Sequence, residues 1–241
     1  MLLVFVFILN YIETSAESHL KKRYDVATQT QYRFASAFQS FENGKVFEAH
    51  DATNKLAIYG YSVAYFFIFP IGGCYVLFAL LRRKSGEYQQ FALALVIDYL
   101  VSLPFYIFMP VSERWAYPAS RAILLSDRWS SHLIESFRPV SGLNNCFPSF
   151  HVSSIVVFIL AAYIFRLRMR HTLMILGLSV ILGTYVLGIH WIPDILAGAA
   201  LGCISMAFAR WTPMTSSPSV WQLNSGLYIT SGEPPSASRV T

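Results

Sequence analysis

The sequence predicts an all-α, polytopic transmembrane helical bundle of about six membrane helices, with interfacial helices in the loops. Three observations predict it. Apolar residues make up 55% of the chain and charged residues only 13%, whereas a soluble domain carries about 25% charged residues. Apolar runs of membrane-spanning length recur along the chain, a span needing roughly 20 such residues at about 1.5 Å of rise each. Basic residues cluster at the ends of those runs, which is how membrane helices are oriented. The net charge of +5 is explained by these clusters and does not mark a nucleic-acid binder.

Taken in order, residues 1–12 are apolar but short of a full crossing. They fit either a tilted, truncated first span or a signal-like segment, and the missing basic start favours the span. Region 13–56 balances six basic against six acidic residues and suits interfacial helices outside the membrane. Five longer apolar stretches follow, at 56–81, 91–110, 152–165, 173–189 and 192–209. The third is short unless its helix starts before His151. Arg82, Arg83 and Lys84 follow the first of these stretches, and Arg166, Arg168 and Arg170 separate the third from the fourth. Placing both clusters in the cytoplasm puts region 13–56, the loop 111–151 and the turn at His190 on the extracytoplasmic or lumenal face. The tail from Thr212 is rich in Ser, Pro, Thr and Gly and reads as disordered cytoplasmic chain. The organisation is therefore an N-terminal region 1–56, a membrane domain 57–210 and a tail 211–241.

Loop 111–151 is too long for a minimal connector and ends in Pro148-Ser149-Phe150-His151. Pro148 signals a helix start, and Ser149 is suited to cap the first turn. Free N–H groups at such a start, with the positive end of the helix dipole, suit an anion. His190 and Asp194 lie four residues apart, close enough for the carboxylate to orient the imidazole. Pro193 places a helix start between them, so the pair straddles a turn and its first helical residues. Ionisable groups so near a membrane interior point to function. Asp98 sits inside a span and needs a partner in the bundle or lines a route to the site. The three cysteines, Cys74, Cys146 and Cys203, form neither a disulfide framework nor a metal-ligand spacing. Gly72-Gly73 and the small residues 197–202 suit close helix packing. His19, His50, His132 and His171 have no partner pattern.

The pair of motifs, Arg138-Pro139 with Pro148-Ser149-Phe150-His151, then His190-x-x-x-Asp194-Ile195-Leu196-Ala197-Gly198, resembles the type-2 phosphatidic acid phosphatase superfamily over roughly residues 90–210. That superfamily takes in lipid phosphatases, inositolphosphoryl transferases and vanadium haloperoxidases. The resemblance implies that His190 attacks phosphorus to give a phosphohistidine and that Asp194 orients it. It implies that His151 protonates the leaving oxygen and then activates water or an acceptor alcohol. It also implies a phosphate-binding set of Arg138, Ser149, Phe150 and Thr184, with no metal and no cofactor. Imidazole chemistry agrees, since a carboxylate that fixes the tautomer makes a neutral imidazole a competent nucleophile. The implied partners are a lipid carrying a phosphate ester and the bilayer itself, with no nucleic acid.

Four positions depart from the family's pattern. Ser131 stands where the family has a lysine, with Arg128 three residues earlier. Gly183-Thr184 replaces Ser-Arg, and Phe150 replaces the glycine of Pro-Ser-Gly-His. Two cations are thus missing. A phosphomonoester carries about −1.5 to −2 charge near neutrality, while a diester carries one and needs less compensation. The depleted set looks like the inositolphosphoryl-transferase branch and favours a lipid phosphodiester over a monoester. Arg114, Arg121 or Arg128 folding back into the site would reverse that preference. The rival readings are a small transporter, with His190, Asp194 and Asp98 along an ion path, and a non-catalytic lipid-phosphate binder.

Overall fold

The computed structural model describes residues 26–42, 55–83, 86–120, 122–124 and 145–212. Residues 1–12, Ser131, Arg138 and nearly all of the tail lie outside these. Regular structure among the described residues is helical, apart from an isolated bridge between Val111 and Asn145.

Helix α1 (Val26–Phe41) precedes α2 (Lys55–Val63), which runs through a π-helical turn at Ala64–Ile68 into α3 (Phe69–Leu81). Pro70, in the first turn of α3, explains the interruption: proline has no N–H to donate, and its ring pushes back the carbonyl four residues earlier. Then come α4 (Glu87–Phe108), 3₁₀ turns at Arg114–Ala116 and Pro118–Ser120, α5 (Phe150–Ile164), α6 (Arg170–Val186) and α7 (Ile192–Trp211). The five apolar stretches of the sequence each become helix. As the short third stretch required, α5 starts at Phe150, ahead of His151. By length and composition, Lys55–Leu81, Glu87–Phe108 and Ile192–Trp211 are each able to cross a membrane, while α5 and α6 are shorter apolar helices.

Their outward faces are oily. Ile175, Leu178 and Leu182 on α6, and Leu196, Ile204 and Phe208 on α7, are all exposed. Such a surface is stable against hydrocarbon and not against water. The interior is built on close approach of α5 and α7. A Cβ added to Gly198 would lie 2.5 Å from the Ser149 carbonyl oxygen, and one on Gly202 would meet the Ser153 carbonyl. The small residues at 197–202 therefore serve packing, as the sequence suggested, and they clamp the two helices that carry His151 and Asp194.

Asp98 is fully buried on α4. Its Oδ2 accepts the Ser153 hydroxyl at 2.8 Å and lies 3.5 Å from that of Ser154. Its partner is thus the helix bearing His151, one turn along, a juxtaposition that no motif indicated. At the other end of the bundle Arg83 donates to the Phe165 carbonyl and, at 3.2 Å, to the Arg166 carbonyl. The two basic clusters that charge bias places together are therefore physically joined. His171 is exposed and does have a partner, the Tyr163 hydroxyl 2.9 Å from Nδ1.

Candidate active site

The turn between α6 and α7 is built by backbone geometry. Gly188 takes φ +78°, a left-handed conformation that glycine adopts without penalty. The chain then doubles back, so that the N–H groups of Ile189 and His190 both donate to the Thr184 carbonyl, at 3.0 and 3.1 Å. Trp191 is the N-cap of α7 and Pro193 lies in its first turn. Asp194, the third helical residue, accepts the Trp191 N–H through Oδ2 at 2.9 Å. An acidic side chain there satisfies an orphan N–H and complements the helix dipole. His190 and Asp194 thus straddle a turn and a helix start, as Pro193 predicted.

The start of α5 meets this turn. Ser149 caps the helix, its Oγ accepting the Val152 N–H at 3.4 Å, and its own N–H donates to the Asp194 carbonyl at 3.2 Å. The Pro148 carbonyl accepts the Tyr106 hydroxyl at 3.1 Å. His151, on the first turn, comes to a ring-centroid distance of 6.2 Å from His190. The two histidines are far apart in sequence and are neighbours because the cap of α5 is hydrogen-bonded to the first turn of α7. His151 also lies against Tyr65, whose hydroxyl is 3.1 Å from Nε2 and 3.4 Å from Nδ1, and against Phe69, with ring centroids 5.0 Å apart. Tyr65 lies in the π-helical turn, a feature that re-aims side chains and recurs at functional sites.

Two further groups enter the site that no motif marks. The Cys146 thiol donates to Asp194 Oδ2 at 2.9 Å and its Sγ lies 3.1 Å from His190 Nδ1. His190 Nδ1 and Asp194 Oδ2 are themselves 3.5 Å apart. All three side chains are buried. Burial, then the neighbouring Asp194 and Glu113, push the Cys146 thiol well above its ordinary range, so it is a protonated donor at neutral pH. The other is an ion pair between Arg114 and Glu42, 3.2 Å apart and almost fully enclosed. Burial raises the Glu42 carboxyl above the usual range, opposed by the Ile192 N–H and the Arg114 guanidinium. Glu42 Oε1 accepts the Ile192 N–H at 2.7 Å. Arg114 lies over the rings of Tyr185 and Trp191, 4.9 and 5.5 Å from their centroids, and its backbone N–H donates to the Ile189 carbonyl at 3.1 Å. The pair straps α1 and the loop onto the His190 turn.

The family profile of the PAP2 superfamily matches residues 35–208. The chain belongs to the PAP2 superfamily. No curated protein and no solved structure gives a significant match. The match begins well before residue 90, where the sequence motifs set the start of the resemblance, and so takes in the end of α1, with Glu42, and the π-helical turn that carries Tyr65. Membership supports phosphoester hydrolysis of the phosphatase type. Together with the three long apolar helices, it indicates an integral membrane protein.

Against the PAP2 pattern, the described residues fall into place unevenly. His151, His190 and Asp194 come together, with Ser149 binding the backbone of Asp194. Phe150 opens α5 and its ring packs edge-on against Tyr99, centroids 5.8 Å apart. Thr184 reaches the site through its carbonyl, because its hydroxyl donates to the Ile181 carbonyl at 2.7 Å. Arg138 lies outside the described residues. Arg114, one of the cations that stood to fold back, does fold back, but onto Glu42. Cys146, Tyr65 and Glu42 escaped sequence reasoning as site residues, as did the pairing of Arg114 with Glu42. The adjacency of Cys146 to the Pro148-Ser149 motif was the signal available for the first, and nothing marked the pairing of the others.

Proposed function

We propose that this chain is a membrane-embedded lipid phosphatase or phosphotransferase that cleaves a phosphoester through a phosphohistidine. The observation that carries this reading is the meeting of His151 with His190 at the joined helix starts, with His190 Nδ1 turned to Asp194 and Cys146. Nδ1 is thereby held as the N–H side, leaving the Nε2 lone pair for phosphorus. Nε2 bonds to phosphorus as the bond to the leaving oxygen breaks, and His151 gives that oxygen a proton. In the second half His151 takes a proton from water or an alcohol, whose oxygen bonds to phosphorus as the P–N bond breaks. Asp194 stabilises the cationic imidazole in between. Free N–H groups at the start of α5, beside Ser149 and Phe150, hold the phosphoryl oxygens with Arg138, while Thr184, whose hydroxyl is committed to the Ile181 carbonyl, supports the His190 turn through its own carbonyl. No metal is required by this scheme.

A lipid phosphodiester, with headgroup transfer as in the inositolphosphoryl-transferase branch, is favoured over a monoester. Neutralisation of Arg114 by Glu42 supports this, since that cation does not make up for the lysine and arginine replaced by Ser131 and Thr184. Six spans, counting residues 1–12, with the site on the extracytoplasmic or lumenal face and the tail in the cytoplasm, complete the proposed topology. The test is an assay of protein purified in detergent for release of phosphate, and separately of phosphorylated headgroup, from a lipid panel. Headgroup release or transfer is expected to dominate, and His190→Ala to fall to background. Phosphate release alone would move the assignment to a monoester phosphatase, and full turnover by His190→Ala would remove the nucleophile.

A further inference from the structure

The thiol beside the reacting pair gives this site a second chemistry, whose consequence for turnover rests on the catalytic role proposed for His190. Cys146 Sγ, His190 Nδ1 and Asp194 Oδ2 form a triangle with sides of 2.9, 3.1 and 3.5 Å. Sulfur, imidazole nitrogen and carboxylate oxygen are the ligand types that Zn²⁺ takes, and these three groups are mutually close enough to share one ion. A tetrahedral ion with bonds of about 2.0–2.3 Å holds its ligand atoms roughly 3.4–3.6 Å apart, so the sulfur has only to withdraw by about half an ångström. Cys146 stands on a loop and not within a helix, where a side-chain rotation supplies that movement. A second observation points the same way: Asp194 Oδ1 is buried without a hydrogen-bond partner among the described residues. The carboxylate therefore keeps an acceptor in reserve, where a buried oxygen is normally satisfied.

We propose that Cys146, His190 and Asp194 form an inhibitory site for a single thiophilic divalent cation of the Zn²⁺ type. The inhibition comes from the position of one proton on the imidazole ring. Catalysis needs the Nδ1–H tautomer, with the Nε2 lone pair facing phosphorus. A metal ion at Nδ1 takes the lone pair on that nitrogen, so the ring proton moves to Nε2 and the nucleophile is lost. The Cys146 thiol releases its proton to solvent on binding, and Asp194 gives up its role as orienting acceptor. The same three side chains thus serve turnover without the ion and silence it with the ion.

The test uses the full chain with Cys74→Ser and Cys203→Ser, which leaves Cys146 as its one thiol. Titration with Co²⁺ is expected to raise a thiolate-to-cobalt charge-transfer band that saturates at one ion per chain and is displaced by Zn²⁺. Cys146→Ala is expected to abolish the band while the protein stays monodisperse and helical. In the lipid assay Zn²⁺ is expected to inhibit, reversibly by chelator, with half-inhibition at a roughly tenfold or more higher concentration in Cys146→Ser, a factor that corresponds to about 1.4 kcal/mol of binding. Absence of the band, or a band that survives Cys146→Ala, overturns the site. A band with no effect of Zn²⁺ on turnover overturns the inhibition. If no lipid is turned over at all, the catalytic reading fails on its own, and the cobalt spectrum still decides whether the three residues bind metal.

Discussion

At the scale of single residues, His151 is defined by what surrounds it. It sits between Tyr65 and Phe69 on one side and His190 on the other, and the Tyr65 hydroxyl is the polar group placed to hold its ring. A hydrogen bond of this kind contributes about 0.5–1.5 kcal/mol, and about 1.4 kcal/mol is a factor of ten in rate. Tyr65→Phe is therefore expected to lower kcat by roughly two- to twelvefold with KM little changed and to move the limb of the pH–rate profile that reports His151. Steady-state kinetics across pH checks this, and an unaltered profile would leave Tyr65 a packing residue. Asp98 belongs to the same scale: a carboxylate inside the bundle is tolerated because Ser153 and Ser154 supply its donors.

At the scale of elements, the question is what holds α1 against the His190 turn. Ring contacts of Phe38 with Phe147 and of Tyr32 with Tyr117 contribute, but the polar strap is Glu42 with Arg114 and the Ile192 N–H. Truncating one member of an enclosed ion pair costs about 3–5 kcal/mol because the other charge is left buried, whereas replacing both by apolar residues is often neutral. Glu42→Ala and Arg114→Ala are each expected to destabilise the protein by about that much, and Glu42→Met with Arg114→Leu together to cost far less than the sum. Thermal unfolding in detergent measures the cycle, and additive losses would show that the two groups do not act as a unit. The helix pair α5 and α7 needs no such strap, since Gly198 and Gly202 let the backbones touch.

For the whole molecule, the two ends of the bundle differ in chemistry. Arg83 ties the basic clusters together at one end, and the joined starts of α5 and α7 carry the histidines at the other. The charge bias then predicts opposite accessibility. In sealed vesicles, with Cys74 and Cys203 replaced by serine, an impermeant maleimide is expected to label Arg168→Cys from one side only and Ala119→Cys from the other only. Labelling of both from one side would overturn the proposed topology.

Much of this was legible in the sequence, and the reason is physical in each case. Hydrocarbon length fixes how many apolar residues a span needs, so five helices were visible as runs, and the cap at Ser149 and the helix start at Pro193 carry local signatures. His151, His190 and Asp194 were legible because two motifs name them. Neither the π-helical turn nor its aim of Tyr65 at His151 was readable, since both depend on which face of the helix meets α5. Glu42 counted as one charge in a balanced region, and Cys146 as one thiol among three. Only the tertiary structure brought Glu42 to Arg114 and Cys146 to His190 and Asp194. Local pattern determines where helices begin, end and turn, because capping and periodicity act within a few residues. Contacts between groups tens of residues apart are set by packing, and it was packing that decided which cation is already neutralised and which thiol lies beside His190.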